Sequence, residues 1–328
     1  MALTFDQISA ITDAYYMPKF PELVFDKNII MSRLWRKGSK ISSGEFFKQP
    51  VMYQATKGGA YSPYEVFDVS AEDQVTAARF DLKYYEVPIT VSRDEILKND
   101  GPEGVKKLMD AKMKFAGMRM SDLIATDLWS ITSTDSSKEI SSIPHMVDDA
   151  SHTRTASATY GGVARSAYAW WQGTLTDHGG GAITALSSEL SPAMSTAWFD
   201  IADGDEHPTL IVADPAFLDA YWKDARPDKR FLDEKMLSMG WTAMQFNGIP
   251  FVGDRHCPSY SATPALNAIY FLDEDYMDFA SHSKENMRLE PFAKPIDQNV
   301  SVAHIYYAGN MTCSYPARSG ALHNFTID

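Results

Sequence analysis

Residues 79–91 read Arg79-Phe80-Asp81-Leu82-Lys83-Tyr84-Tyr85-Glu86-Val87-Pro88-Ile89-Thr90-Val91. Apolar side chains fall first at Phe80, Leu82 and Tyr84, and then shift by one to Tyr85, Val87, Ile89 and Val91. Alternation is the period of a β-strand, and a one-residue slip carries side chains to the other face, so the pattern predicts a strand with a bulge. Pro88 has no N–H to give a ladder and places the run at a sheet edge. Upstream, Phe46 to Tyr53 supplies an outgoing strand, and Thr56-Lys57-Gly58-Gly59-Ala60-Tyr61-Ser62-Pro63 has the composition of a turn. Together they make a long β-excursion. A two-stranded hairpin is marginal alone in water, so this one is expected to rest on something outside its own domain.

Downstream, Asn99-Asp100-Gly101-Pro102 supplies a helix cap and a first-turn proline. Val105, Met109, Met113, Ala116, Met120, Leu123, Ile124 and Leu128 then recur at helical spacing, with Glu103/Lys107 and Asp110/Lys114 as i, i+4 pairs on the polar side. A helix over 101–131 would be roughly 45 Å long. It is either the core helix of a large domain or a spine running along an elongated molecule. Before the excursion, residues 1–50 hold Pro18, Pro21 and a basic patch of Arg33, Arg36, Lys37 and Lys40, with seven basic against five acidic residues. A short helix fits Lys27 to Trp35, and the segment reads as an arm that needs a surface to lie on.

Residues 132–165 are rich in Ser, Thr and Ala and predict a long connection or lightly structured surface. Thr209 to Ala213 is a buried-type strand leading into Asp214-Pro215, a cap and first-turn proline, with Phe217, Leu218, Tyr221 and Trp222 on one helix face. Asn247-Gly248 between Met244–Phe246 and Ile249–Val252 signals a tight hairpin. Ala268 to Leu272 and Val300 to Tyr307 add strands. Helices and strands mix without a βαβ repeat, which defines an α+β fold.

The chain has 328 residues, 45% of them hydrophobic and 22% charged, enough for one large domain or two smaller ones. A formal net charge of −13 argues against a dedicated nucleic-acid binder, which needs a surplus of Lys and Arg. Cys257 and Cys313 alone cannot form a disulfide framework, so a reducing compartment is expected. The start Met1-Ala2-Leu3-Thr4-Phe5-Asp6 has no leader pattern and no window approaches a membrane span, which predicts a soluble protein made in cytoplasm. The sequons at Asn299, Asn310 and Asn324 then read as chance matches.

Catalytic signatures are missing: no phosphate loop, no His-Glu-x-x-His, no Gly-x-Ser-x-Gly and no Cys-x-x-Cys occurs. Gly179-Gly180-Gly181 follows no clear strand, and Ser281-His282-Ser283-Lys284 lacks the companion motifs of its catalytic class. His256-Cys257 reads as a metal pair, a nucleophile pair or a structural pair. Asp203 to Glu206 and Asp273 to Asp278 lack calcium-loop spacing and read as solvated loops. Trp170-Trp171 reads as a stacking platform for a sugar or base, or as a core or interface anchor.

Tyr160-Gly161-Gly162-Val163-Ala164-Arg165-Ser166, followed by Trp170-Trp171, resembles the Tyr-Gly-Gly-Ile-Asp-Arg-Ser/Thr and Trp-Trp signature of many tailed-bacteriophage major capsid proteins. Gly309-Asn310-Met311-Thr312-Cys313, with Pro316, Arg318 and Leu322, is similar to that family's Gly-Asn-Leu and Pro-Arg tail. Ala164 stands where the family often has Asp. The order of arm, excursion, long helix, Asp-Pro unit and Asn-Gly hairpin also resembles the Hong Kong-type capsid fold over essentially the whole chain.

The resemblance implies an N-terminal arm at 1–45 and an extended β-hairpin loop at 46–97. A peripheral domain with a spine helix would cover 98–135 and 281–328, and an axial domain 136–280. It implies no enzyme and no cofactor or metal. The function implied is a major capsid protein that self-assembles, as hexamers and pentamers, into the icosahedral shell around the double-stranded DNA genome of a tailed bacteriophage. Portal, scaffolding and decoration proteins are the implied partners, with the virion as location and the host cytoplasm as the place of assembly. A scaffold would be a separate protein or absent, because the chain enters the arm almost at once. Such a shell encloses DNA without sequence-specific binding, and an acidic inner surface would avoid gripping it.

Tyr160, Gly161, Gly162, Arg165, Trp170 and Trp171 are the candidate assembly residues. Lys57, at the loop tip, is the candidate by position for the lysine–asparagine isopeptide that some members form, or else a solvated turn lysine. Two other classes stay open. One is an encapsulin-type compartment shell holding a cargo enzyme. The other is a glycan-binding or glycan-cleaving domain, suggested by 12% aromatic residues and abundant carboxylates, for which no acid and nucleophile pair can be picked out.

Overall fold

The computed structural model describes residues 28–41, 44–53, 57–67, 70, 73–98, 102–151, 153–155, 157–179, 182–183, 189–224, 243–258, 267–296 and 298–327. Residues 1–27 of the expected arm, the helix start Asn99-Asp100-Gly101, Gly180-Gly181 and the side chains of Glu103 and Val105 lie outside the described residues.

In chain order the first half holds α1 (Ile29–Lys37), β1 (Lys40–Ile41), β2 (Phe46–Met52), β3 (Val75–Asp81), β4 (Lys83–Ser92), α2 (Arg93–Lys98), α3 (Pro102–Leu128) and α4 (Ile143–Met146). Then come β5 (Thr159–Tyr160), β6 (Val163–Ala164), β7 (Thr174–Asp177), β8 (Ala182–Ile183), α5 (Leu190–Ile201), β9 (Leu210–Ala213) and α6 (Pro215–Asp224). The remainder is β10 (Ala243–Phe246), β11 (Ile249–Gly253), β12 (Ala268–Leu272), β13 (Met277–His282), β14 (Arg288–Leu289), β15 (Val300–Cys313), β16 (Gly320–His323) and β17 (Thr326–Ile327).

Two sheets organise the chain. One is six-stranded in the order β10-β11-β9-β12-β16-β7. Its central strands are buried on both faces: Leu210, Val212, Tyr270 and Leu272 point into one core, Ile211, Ala213, Ile269 and Phe271 into another beneath α5 and α6. Burial on both sides is why these strands read as unbroken apolar runs. Asp214 accepts the Ala216 N–H at 2.8 Å and starts α6, where Phe217 and Tyr221 are buried and Trp222 stays partly exposed. Asn247 and Gly248 take φ of 50° and 83°, the left-handed pair that a two-residue hairpin requires.

The second sheet is built on the 14-residue β15, which pairs with β4 on one side and with β13 and β14 on the other. β4 pairs only with β15 among the described residues, so Pro88 lies on an edge strand. α3, 27 residues and about 40 Å long, packs on this sheet through Met109, Met113, Ala116, Met120, Ile124 and Leu128. Phe115 and Met118 stay exposed on its other side.

Several expectations need correction. The parity slip is not a bulge within one strand: β3 ends at Asp81, β4 begins at Lys83, and the chain passes from the hairpin into the sheet at Leu82. Tyr84, expected inward with Phe80, is therefore exposed, while Lys83, Tyr85, Val87, Ile89 and Val91 face in. The Ser- and Thr-rich stretch is only partly surface. Ser133, Ile140, Ser141, Ser142, Ile143, His145, Met146, Val147 and Asp148 are buried, because backbone groups satisfy their polar atoms, as Ile140 O does for Ser133 at 3.1 Å.

The acidic loops are also not simply solvated. Asp273 and Glu274 are buried, Glu274 holds Arg33 Nε at 2.6 Å, and Arg318 bridges Asp203 and Glu206 at 2.9 and 2.6 Å. α1, drawn from the expected arm, buries Ile29, Ile30, Met31 and Leu34 in the main core of its own chain. Finally, β13 belongs to the β15 sheet although most of it falls within 136–280, and β16 sits between β12 and β7 although it falls within 281–328. The tail beyond Gly320 thus crosses into the six-stranded sheet.

Candidate assembly site beneath the extended hairpin

β2 and β3 pair antiparallel over seven residues, from Phe46 opposite Asp81 to Met52 opposite Val75. Phe47, Val51, Ala78 and Phe80 are buried, and residues 159–171 of the same chain lie against Ala78 and Phe80. β5 and β6 form a two-residue hairpin in which Gly161 and Gly162 take φ of 57° and 73°. A side chain at Gly161 would be strained twice over. Its φ is left-handed, and a Cβ there would sit 2.9 Å from Phe80 Cζ and 3.1 Å from Ala78 Cβ. That close approach lets Gly161 O accept the Arg79 N–H at 2.9 Å, a backbone bond from this platform to β3.

Tyr160 is fully buried at the centre. Its ring meets Phe80 edge-on at 5.1 Å and His145 at 5.2 Å, with the Arg165 guanidinium 5.6 Å from its centroid. Trp171 Nε1 donates to Tyr160 O at 2.8 Å, and Trp170 stacks on Tyr53 of the hairpin at 6.4 Å. Arg165 is buried, with no ion pair at hydrogen-bond distance among the described residues. It donates to Ser157 O at 2.6 Å, to Thr159 O at 3.3 Å and to His145 O. Burial pulls its pKa below the usual arginine value, with Asp148 opposing. His145 Nε2 lies 2.9 Å from Thr159 O, and since a carbonyl only accepts, that nitrogen carries the proton. Burial, reinforced by Arg165, lowers the His145 pKa and favours the neutral ring.

Six of the seven candidate residues are thus brought together: Tyr160, Gly161, Gly162, Arg165, Trp170 and Trp171. Lys57 is not among them. It lies on the exposed far end of the hairpin, donating to Ser70 Oγ at 2.8 Å. Near it, Tyr61 and Phe67 pack edge-on at 5.2 Å, and Tyr61, Tyr64, Val66 and Phe67 are exposed, Tyr64 completely. Asp135, His145, Lys83 and Asn310 are the participants that sequence reading missed. The parity slip marked the place of Lys83, but nothing local named its partners.

A second polar cluster lies at α1. Asp254 is buried and accepts from Asn28 Nδ2 at 2.8 Å, Trp129 Nε1 at 2.9 Å and the His256 N–H at 3.0 Å, while Asn28 caps α1 by accepting from Ile30 and Met31. Burial works to raise the Asp254 pKa, and these hydrogen bonds together bring it below the ordinary value. His256 stands 3.3 Å from both Asp254 and Asp122, which raises its own pKa. Cys257 is buried, and burial pushes its thiol up, so the His256-Cys257 pair is structural. Among the described residues, no group of three or more His, Cys, Asp or Glu could hold a metal, and no helix is long and apolar enough to cross a membrane.

No protein-family model matches the chain, and no curated protein matches it in sequence. Solved structures do. The capsid of an empty GTA particle superposes with a TM-score of 0.59 at 14% identity, over 89% of each chain. The capsid of cyanophage A-1(L) gives 0.55 at 13% identity, over 90% of this chain and 93% of that one. The SrpI encapsulin complex from Synechococcus elongatus gives 0.55 at 10% identity, over 99% of this chain and 97% of that one. The chain therefore has the α+β Hong Kong-type fold of tailed-phage capsid proteins, which encapsulins share.

Proposed function

We propose that the chain is a structural shell subunit, the major capsid protein of a tailed bacteriophage, which self-assembles into an icosahedral shell around double-stranded DNA. One observation carries the reading. The fold is that of shell proteins over about nine-tenths of the chain, and its hairpin is seated at the base yet exposes Tyr61, Tyr64, Val66 and Phe67 at the far end. Exposed apolar clusters of this kind mark contact surfaces. A second copy supplies the cover, and repetition of the contact closes a symmetric assembly.

In this reading Tyr160, Gly161, Gly162, Arg165, Trp170 and Trp171 hold the hairpin in its assembly geometry. The division into arm, extended loop, peripheral and axial domains follows, with the sheet crossings described above. The chain carries no reaction and needs no cofactor. Its partners are its own copies in hexamers and pentamers, with portal, scaffolding and decoration proteins at the shell and DNA enclosed without specific contacts. Its place is the virion, after assembly in the host cytoplasm.

The match to an encapsulin over nearly the whole chain favours a second reading, a compartment shell around a cargo enzyme. The glycan reading has no support, since Trp170 and Trp171 are taken up by Tyr53 and Tyr160. Negative-stain microscopy of the expressed protein tests the proposal: closed shells are expected, and small particles of single-subunit mass would overturn it. Packaged nucleic acid in purified particles separates a capsid from a cargo compartment.

A further inference from the structure

The passage from hairpin to sheet at Leu82 is flanked by two buried polar side chains. Before it, the Asp81 carbonyl accepts from Asn310 Nδ2 at 2.8 Å, and Asn310 Oδ1 accepts the Ser141 N–H at 2.8 Å. After it, the Lys83 ammonium, on a residue only 7% exposed, donates to Asp135 O at 2.9 Å and Ser137 O at 2.5 Å. The same Asp135 turns its carboxylate to the platform, accepting from Gly161 N at 3.0 Å, Gly162 N at 3.1 Å and Thr159 Oγ1 at 2.7 Å. One residue therefore holds the start of β4, just past the hairpin, by its backbone and the glycine turn beneath the hairpin by its side chain. Apolar packing permits sliding between nearly equivalent arrangements, whereas directional bonds to buried groups do not.

We infer that Asp135, Lys83 and Asn310 form a polar bracket that fixes the angle at which the extended hairpin leaves the subunit, and so act as positioning residues for its contact with a second copy. The inference deepens the shell reading and rests on it for the second copy alone. A hairpin free to swing would still fold but would present its far end at varied angles, giving irregular or open assemblies.

The test compares the full-length wild-type chain with Asp135→Asn, Lys83→Met and Thr159→Val by hydrogen exchange and electron microscopy, with Ser136→Ala as a control in the same turn. Asp135→Asn places an amide NH2 against a donor, Lys83→Met keeps the stem without the ammonium, and Thr159→Val removes one bond to the carboxylate. Exchange in 46–52 and 75–81 is expected to rise about tenfold or more while 210–213 and 268–272 keep their protection. Shells of the variants are expected to be open or mixed in diameter. Should Asp135→Asn fail to fold, Thr159→Val carries the same test with a smaller rise. Wild-type exchange in the hairpin of the folded variants overturns the bracket, and faster exchange with shells of unchanged diameter overturns its positioning role. A wild-type chain that makes no shells sinks the shell reading, and the exchange measurement still decides the bracket.

Discussion

At its base the extended hairpin buries Phe47 and Val51 in the main core and sets Ala78 and Phe80 against Tyr160 and Gly161. At its far end Tyr61, Tyr64, Val66 and Phe67 are exposed among the described residues, where local contacts include the Glu65 N–H to Ser62 O bond at 3.0 Å. Both ends carry aromatic residues, so composition does not distinguish them. What differs is that the base has its complement in the same chain. An apolar surface with no complement within the chain is unfavourable in water until another molecule covers it. The contrast teaches that the base is built for fixed geometry and the far end for association, and four substitutions or conditions can break or sharpen it.

The largest effect falls at the base. Trp171→Ala removes a fully buried ring and its bond to Tyr160 O, and is expected to cost about 3–5 kcal/mol in chemical denaturation of the subunit. A loss under about 1 kcal/mol would show that the platform is not the hairpin's main support. At the far end, the triple change Tyr61→Ser, Tyr64→Ser and Phe67→Ser is expected to leave subunit stability within about 0.5 kcal/mol while abolishing shells. Normal shells from that variant would remove the far end from the contact.

Smaller, and opposite in sign between regions, is the response to pH. His145 has a lowered pKa in the fold, so the unfolded chain binds its proton first and the platform loses stability as pH falls below about 6.5. His256 has a raised pKa, so its contribution is complete at acid pH and is lost as pH rises through that folded value. Protection factors in 46–52 and 75–81, taken relative to the intrinsic exchange rate at each pH, should therefore fall on acidification. The melting difference between wild type and His256→Gln should shrink from pH 5 to pH 8, and a difference independent of pH would show that the histidine is not charged in its bridge. The smallest effect is expected from Lys57→Arg, because Lys57 already donates to Ser70 within the loop. Denaturing gels of assembled particles should show one band at 36.6 kDa for both proteins. A ladder in the wild type that vanishes in the variant would reveal a covalent link between copies.

Much of the fold was legible because its signals are local. The apolar spacing along α3, the Asn247-Gly248 turn and the Asp214-Pro215 helix start each report a preference of neighbouring residues, and each element formed where expected. The candidate site was legible in a different way. Tyr160, Gly161, Gly162, Arg165, Trp170 and Trp171 stood out through a resemblance, with no physical reason visible in the chain for their grouping. Ala164 made that grouping harder to rationalise, yet a carboxylate does reach the glycine turn, from Asp135 in a segment read as surface.

By itself, then, the sequence determined the order of the main elements, the mixed helix and strand class, the open sheet edge at Pro88 and a change of face near Leu82, read there as a bulge, all set by periodicity and backbone constraint over a few residues. Only the tertiary structure decided that Ser133 and residues 140–148 are buried, that Arg165 lies in the interior on carbonyl oxygens, that Lys83 and Asn310 flank the break, and which end of the hairpin is covered. The reason is physical. A polar group can be buried only when partners arrive from distant parts of the chain, as Asn310 reaches Asp81 and Ser141, and no local pattern records where those partners will be.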